Sequence, residues 1–294
     1  MSTSFDVIVV GAGPAGLTAA TGAARAGLKA LCLDKLAPGG ALINLAELHD
    51  VEGDADGPQI ASKLTDEATE AGVELGFGEV VKLTGNGGGS GPWTVETADG
   101  ERHTGRAVVI ATGLAKGTLG LPEEAEYDGR GLSHCASCDG PLYAGRPVVV
   151  AGTEGWAPRE AAELQVVAGD VTVIGKPAAA LPDGVHRLDG RIVALEGADG
   201  LQSVVVESGG ARKTIPASAV FVYVGQSPAA EFVPETLARD AAGHIVVDEG
   251  GRTSAAMVFA VGDVRAGARH HLADAIADGQ RAGQAVVAAL KETS

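Results

Sequence analysis

Apolar positions change their period along this chain at regular intervals, and the changes mark its elements. In "FDVIVVGAGPAGLTAATGAARAGLKALCLDK" the run Val7 to Val10 is short, continuous and β-branched, the pattern of a strand buried on both faces. A glycine turn follows, then apolar residues at helical spacing, then a second apolar run ending at Asp34. "RPVVVAGTEGWAPREAAELQVVAGDVTVIG", from Arg146, repeats the order strand, turn, helix, strand. Between and after these units lie strand pairs joined at Asp99-Gly100 and Asp199-Gly200, dipeptides suited to tight hairpin turns. "AMVFAVGDVRAGARHHLADAIADGQRAGQAVVAALKE" predicts a strand, a loop and a long helix. The fold class expected is α/β: two Rossmann-like, three-layer (ββα) nucleotide-binding domains, the second inserted into the first.

At 294 residues the chain is long enough for two modest domains. A net charge of −16 argues against a surface for nucleic acid or an anionic membrane, since both need a basic face. No apolar run reaches the length of a membrane span, and "MSTSFDVIVVGAG" enters a strand without a basic region or cleavage site. These features predict a cytoplasmic protein. Most of the 44 glycines fall at turns and in motifs; "GNGGGSGP" reads as a flexible hairpin loop.

Gly11, Gly13 and Gly16 form G-x-G-x-x-G between a strand and a helix. Asp34 follows at about the 20-residue distance of a ribose-binding acid. Gly11 permits the tight turn, Gly13 lets the backbone approach a pyrophosphate, and Gly16 lets helix and sheet pack closely. The helix amino terminus then faces the phosphates. In the middle of the chain, "GLSHCASCDGP" holds Cys135 and Cys138, two of three cysteines. Thiols at this spacing admit a zinc half-site, a redox disulfide or two incidental residues.

The order GAGPAG, ATG, C-A-x-C-D-G, a second glycine turn and F-A-V-G-D resembles the low-molecular-weight thioredoxin reductases, over essentially the whole chain. The resemblance implies a homodimeric FAD enzyme in which NADPH reduces the flavin, the flavin a cysteine pair, and the pair thioredoxin. It implies an FAD domain at residues 1–116 and 244–294, and an inserted NAD(P)H-like domain at 117–243 carrying the pair. It places FAD contacts at Gly11, Gly13, Pro14, Ala15 and Gly16, at Asp34 and Lys35, and at Gly40, Ala41 and Leu42. Further contacts fall at Asp50, at Ala111, Thr112 and Gly113, at Gly262 and Asp263, and at His270, His271 and Leu272. Cys138 would face the flavin, Cys135 exchange with substrate, and Asp139 act as acid or base. Zinc would need two more soft ligands, and Cys32 lies on a strand expected to be buried, so no metal is expected. His134 is expected to be a partly exposed residue without a role.

Three departures stand out. In the second turn, Gly152 to Ala157, Glu154 replaces the glycine against which a pyrophosphate should lie, adding bulk and negative charge; Pro158 stands in the following first turn. Where the family has a histidine and two arginines for the 2′-phosphate, this chain has Gly175, Lys176 and Pro177. Where it has Arg-Gln before the last helix, this chain has His270-His271 and then Asp274. Either imidazole can serve as a base, or only the backbone meets the flavin. The reading is therefore a flavoprotein disulfide oxidoreductase that works without NADPH on a thioredoxin-like protein or small dithiol, with ferredoxin as one donor. Its alternatives are an oxygen-dependent dithiol oxidase, an ordinary NADPH-thioredoxin reductase and a non-catalytic flavin-bound redox sensor.

Overall fold

The computed structural model describes residues 3–45, 56–85, 91–152, 157–175 and 180–293. In chain order the elements begin with β1 (Thr3–Val10), α1 (Pro14–Arg25), β2 (Ala30–Asp34), α2 (Gly57–Glu70), β3 (Glu74–Phe77), β4 (Val80–Gly85), β5 (Trp93–Thr97) and β6 (Arg102–Ile110). Then come β7 (Leu114–Lys116), β8 (Leu132–Ser133), α3 (Ala136–Asp139), β9 (Pro147–Ala151), α4 (Ala157–Val167), β10 (Asp170–Ile174) and β11 (His186–Leu188). Next are β12 (Arg191–Glu196), β13 (Ser203–Ser208), β14 (Ala211–Pro216), β15 (Ala219–Val222) and β16 (Gln226–Pro228). β17 (Val258–Ala260) and α5 (Leu272–Glu292) complete the order.

The chain divides into two units, Met1–Leu114 with Pro228–Ser294, and Ala115–Ser227. It crosses between them through β7 and β16, which pair as a two-stranded sheet. The second crossing falls at Pro228, not at residue 244, the boundary expected from the sequence. The reason is packing: Ala230, Val233 and Leu237 bury their side chains against Ile8, Val10 and Ile110 of the first unit.

In the first unit a seven-stranded sheet runs β3-β2-β1-β6-β5-β4, with β17 also on β6. The strands β3, β2, β1, β6 and β17 run parallel to one another, whereas β5 pairs antiparallel with both β6 and β4. Because strand side chains alternate between faces, Val7, Val9, Cys32, Ala107 and Val109 pack on one side with Leu17, Ala20, Ala282 and Val286 of α1 and α5. Ile8, Val10, Leu31, Leu33, Val108 and Ile110 pack on the other with Leu83 and Val95. The loop expected at "GNGGGSGP" joins β4 to β5, and its residues 86–90 lie outside the described ones.

The second unit repeats the plan. A parallel five-stranded sheet, β11-β10-β9-β15-β8, is accompanied by an antiparallel sheet, β12-β13-β14. Val148, Val150, Val173 and Phe221 face Ala157, Ala161 and Leu164 of α4; Val149, Val220 and Val222 face Ile192, Leu195 and Val204 of the antiparallel sheet. Phe221 is fully buried and meets Tyr143 edge-on, with ring centroids 6.1 Å apart. Truncating a buried phenylalanine costs ~3–5 kcal/mol. Phe221→Ala should therefore speed hydrogen exchange of the β9 and β15 amides on the order of a hundredfold, leaving β1 and β6 unchanged.

Candidate functional site

The first group of predicted site residues converges on the end of β1. Gly11 has φ 103°, which favours glycine, and a Cβ there would lie 2.4 Å from the Ala111 carbonyl oxygen. Backbone therefore packs directly on backbone, and the Ala111 amide donates to the Val10 carbonyl at 2.8 Å. The Gly39 amide donates to the Ala12 carbonyl at 2.7 Å, and a Cβ on Gly40 would lie 3.0 Å from Gly13 Cα. A Cβ on Gly262 would meet Ala15 Cβ at 3.1 Å, so the loops after β1, β2, β6 and β17 gather around residues 12–15. Thr112 Oγ1 donates to the Ala229 carbonyl at 2.5 Å, and the Ala229 amide to the Gly113 carbonyl at 3.0 Å.

Over this cluster the space at Gly13 is open: a Cβ there meets nothing within 4 Å. Helix α1 begins with Pro14 and has no side-chain cap, so its amino-terminal amides are not satisfied by a capping side chain. Asp34 accepts the Ala12 amide at 2.8 Å and the Leu36 amide at 3.0 Å, which fixes its carboxylate at the end of β2. An open glycine, an uncapped helix and an oriented acid fit a dinucleotide pyrophosphate and ribose. Lys35 is 3.8 Å from Glu79 in an exposed ion pair. Leu42 is buried in a short 3₁₀ helix (Gly40–Asn44), whereas Ala41 beside it is exposed. Asp50 lies outside the described residues.

The turn after β17 has an anchor that no motif revealed. Asp278 on α5 is buried. It accepts the Gly262 amide at 3.3 Å and Arg265 Nη2 at 3.0 Å, with further bonds from Arg265 Nε and Arg281. A buried charge is tolerated because it is paired and hydrogen-bonded, and here the pairing holds Gly262 and Asp263 in place. His270 has a left-handed backbone, φ 58°, and its Nδ1 lies 3.4 Å from Asp263 Oδ1. His271 precedes α5, accepting the Ala275 amide on its carbonyl at 3.0 Å, and Leu272 is buried. Asp274 pairs with Arg269. The structure thus brings His270, but not the Asp274 carboxylate, to Asp263.

The second group surrounds the cysteines. Cys135 and Cys138 form a disulfide, with Cα atoms 5.4 Å apart, across the short helix α3. Cys135 Sγ accepts the Cys138 amide at 3.2 Å. Asp139 accepts the Ser133 hydroxyl at 2.6 Å, and that hydroxyl accepts the Cys135 amide at 3.1 Å. His134 is partly exposed, as expected; its ring Nδ1 lies 3.2 Å from the Val222 carbonyl, and its own carbonyl accepts Lys116 Nζ at 2.7 Å. Burial lowers the pKa of the Lys116 ammonium, against opposing contributions from Glu160 and Asp139. Ala136 donates its amide to Glu160 Oε2 and to the Tyr223 hydroxyl, both at 3.1 Å.

Cys32 is buried in β2, and burial, helped by Asp34, pushes its thiol far above the usual range. Among the described residues no cluster of histidine, cysteine and carboxylates could hold a metal ion, and no helix is long and apolar enough to cross a membrane. In the second turn Gly152 has φ 141°, and a Cβ there would meet the Tyr223 carbonyl at 2.1 Å. Glu154, Lys176 and Pro177 lie outside the described residues.

The profile of the pyridine nucleotide-disulphide oxidoreductases matches residues 5–292. Thioredoxin reductase of Listeria monocytogenes is 33% identical over 299 residues, covering 95% of this chain and 92% of that protein. The crystal structure of Lactococcus lactis thioredoxin reductase superimposes with a TM-score of 0.85 at 31% identity, covering 98% of this chain and 99% of that one. That of T. acidophilum thioredoxin reductase does so with a TM-score of 0.81 at 29% identity, over 98% and 99%.

Two substitutions separate the buried anchor from the exposed pair. Breaking a buried ion pair costs about 3–5 kcal/mol, and an exposed pair is worth about 0–1 kcal/mol. Asp278→Asn should therefore lower the urea midpoint of the first unit markedly, and His270→Ala should leave it nearly unchanged.

Proposed function

The chain belongs to the pyridine nucleotide-disulphide oxidoreductase family, and from that premise we propose that it moves an electron pair between bound FAD and the Cys135–Cys138 disulfide, exchanging with a thioredoxin-like protein or a small dithiol and drawing on a donor other than NADPH. The observation that carries the reading is the closed disulfide at α3, flanked by Asp139 with its Ser133 partner. FAD, when bound, supplies a two-electron redox centre. Gly13, the uncapped α1 and Asp34 would hold its pyrophosphate and ribose, and Gly262 and Asp263 would sit beside it.

At the cysteines, two electrons and two protons convert the S–S bond into two thiols. Asp139, within hydrogen-bonding distance of Ser133 and adjacent in sequence to Cys138, is placed to give or take one of the protons. The Cys138 amide bonded to Cys135 Sγ favours negative charge on that sulfur as the bond opens. Outward transfer follows by thiol–disulfide exchange, in which Cys135 thiolate attacks the substrate disulfide and Cys138 resolves the mixed disulfide.

Independence from NADPH rests on two positions in the sequence, Glu154 and the Gly175-Lys176-Pro177 stretch. A carboxylate about 4 Å from a phosphate costs about 4 kcal/mol at the dielectric of a protein surface, roughly a thousandfold in affinity. One lysine lacks the bidentate fork that grips a 2′-phosphate.

Anaerobic visible absorbance of the flavoprotein tests the reading. A small dithiol should bleach the flavin, and NADPH and NADH should not within the same minutes. Cys138→Ser should slow the dithiol-driven bleaching at least tenfold. Rapid bleaching by NADPH would remove the claim about the donor; dithiol bleaching unaffected by Cys138→Ser would remove the claim about the cysteine pair.

A further inference from the structure

We propose that Glu160 and Tyr223 form a positioning pair that sets how readily the Cys135–Cys138 disulfide is reduced, with Glu160 disfavouring and Tyr223 favouring the dithiol. This inference rests on the redox reading of that disulfide. The Ala136 amide, the first after Cys135, is buried and donates to both Glu160 Oε2 and the Tyr223 hydroxyl at 3.1 Å. Tyr223 in turn donates its proton to the same Glu160 oxygen, closing a three-membered hydrogen-bonded ring. Each member comes from a different element. Glu160 stands in the first turn of α4, Ala136 opens α3, and Tyr223 follows β15, its amide held by the Ala151 carbonyl at 2.7 Å.

One bonded amide would be satisfied by either acceptor alone. Two acceptors that also bond each other make a charge whose strength is adjustable, because the phenol withdraws density from the carboxylate it feeds. Burial first, and then the bond to Glu160, raises the pKa of the Tyr223 phenol, so it remains a donor. The carboxylate therefore sits one residue from Cys135, the sulfur that already accepts the Cys138 amide. Reduction adds two electrons and two protons across the S–S bond. At a pH where Cys135 keeps the charge, one proton is released and a thiolate remains. A negative neighbour opposes that thiolate, and a weakened one opposes it less. Among the described residues, the other charged or titratable groups around the site include Lys116, His134, Asp139, Tyr143 with Arg146, and Glu163 with Arg159. They are the same in each variant below.

The direction of each effect follows. Glu160→Gln keeps an acceptor for Ala136 and removes the charge, so the thiolate forms at lower pH and the dithiol gains. Tyr223→Phe leaves the charge without its donor, so the thiolate forms at higher pH and the dithiol loses. A loss of packing alone would move both variants the same way.

The experiment is a redox titration of the holoenzyme in oxidised and reduced dithiothreitol under argon, with thiols trapped by a maleimide in the native state. The buried Cys32 does not contribute to that signal. Glu160→Gln should raise the dithiol-to-disulfide ratio at pH 9 about three- to tenfold, the upper figure being about 30 mV. Tyr223→Phe should lower it, and both differences should shrink as the pH falls and the Cys135 thiolate takes up its proton. Ratios within twofold of the parent, or shifts in one direction, overturn the pair's role and leave the redox disulfide standing. A parent protein whose cysteines do not exchange with dithiothreitol overturns the redox reading and this inference together. Tyr223→Phe, which deletes one oxygen, carries the test alone if Glu160→Gln does not fold.

Discussion

The first unit depends on one close approach, that of the peptide at Gly11 to the peptide at Ala111. Any side chain at position 11 would occupy the space of the Ala111 carbonyl, 2.4 Å from a Cβ. Because β1 and β6 are parallel and adjacent, this contact brings two chain segments about a hundred residues apart into one turn cluster. The cluster also contains Gly39 and Gly40 after β2 and Gly262 after β17. What this cluster presents at the carboxyl edge of the parallel sheet is mostly backbone, held in place by a few side chains. Asp34 orients from one side through the Ala12 amide, and Asp278 from the other through the Gly262 amide.

The second unit uses the same arrangement for another purpose. The carboxyl ends of β9 and β15 lie side by side, and the amides and carbonyls there serve the cysteine helix. Val222 meets the His134 ring, Tyr223 meets the Ala136 amide, and Ala151 fixes Tyr223. A short helix such as α3 has little stability of its own. Its conformation is set by these bonds, by Asp139 with Ser133 and by the Cys138 amide on sulfur.

How much was legible in the sequence follows from the range of each interaction. Val7 to Val10, the Gly11–Gly16 turn and Asp34 could be read because their partners are close along the chain and their period is local. The same holds for the Asp99-Gly100 and Asp199-Gly200 hairpins, which join β5 to β6 and β12 to β13. Glu160 and Tyr223 bond across 63 residues, and neither lies in a pattern that singles it out. Asp278 sits in a helix whose period called for no acid; only its burial and its pairing with Arg265 and Arg281, both read from the structure, mark it. The return point at Pro228 did leave a trace. Ala230, Val233 and Leu237 recur at spacings of three and four, but the intervening glutamates and the prolines at 228 and 234 obscured the stripe.

The order of residues in the two cores has a consequence for how the chain acquires its structure. The second unit is continuous, Ala115 to Ser227, and its strands and α4 are all present once that stretch has emerged. The first unit is not: Val7, Val9, Leu17 and Ala20 pack against Ala282, Val286 and Leu290, contributed by the last helix. During synthesis, when domains form as their residues leave the ribosome, the apolar face of β1 and α1 must wait through the whole of the inserted unit for its cover. The unit that begins first is the one completed last.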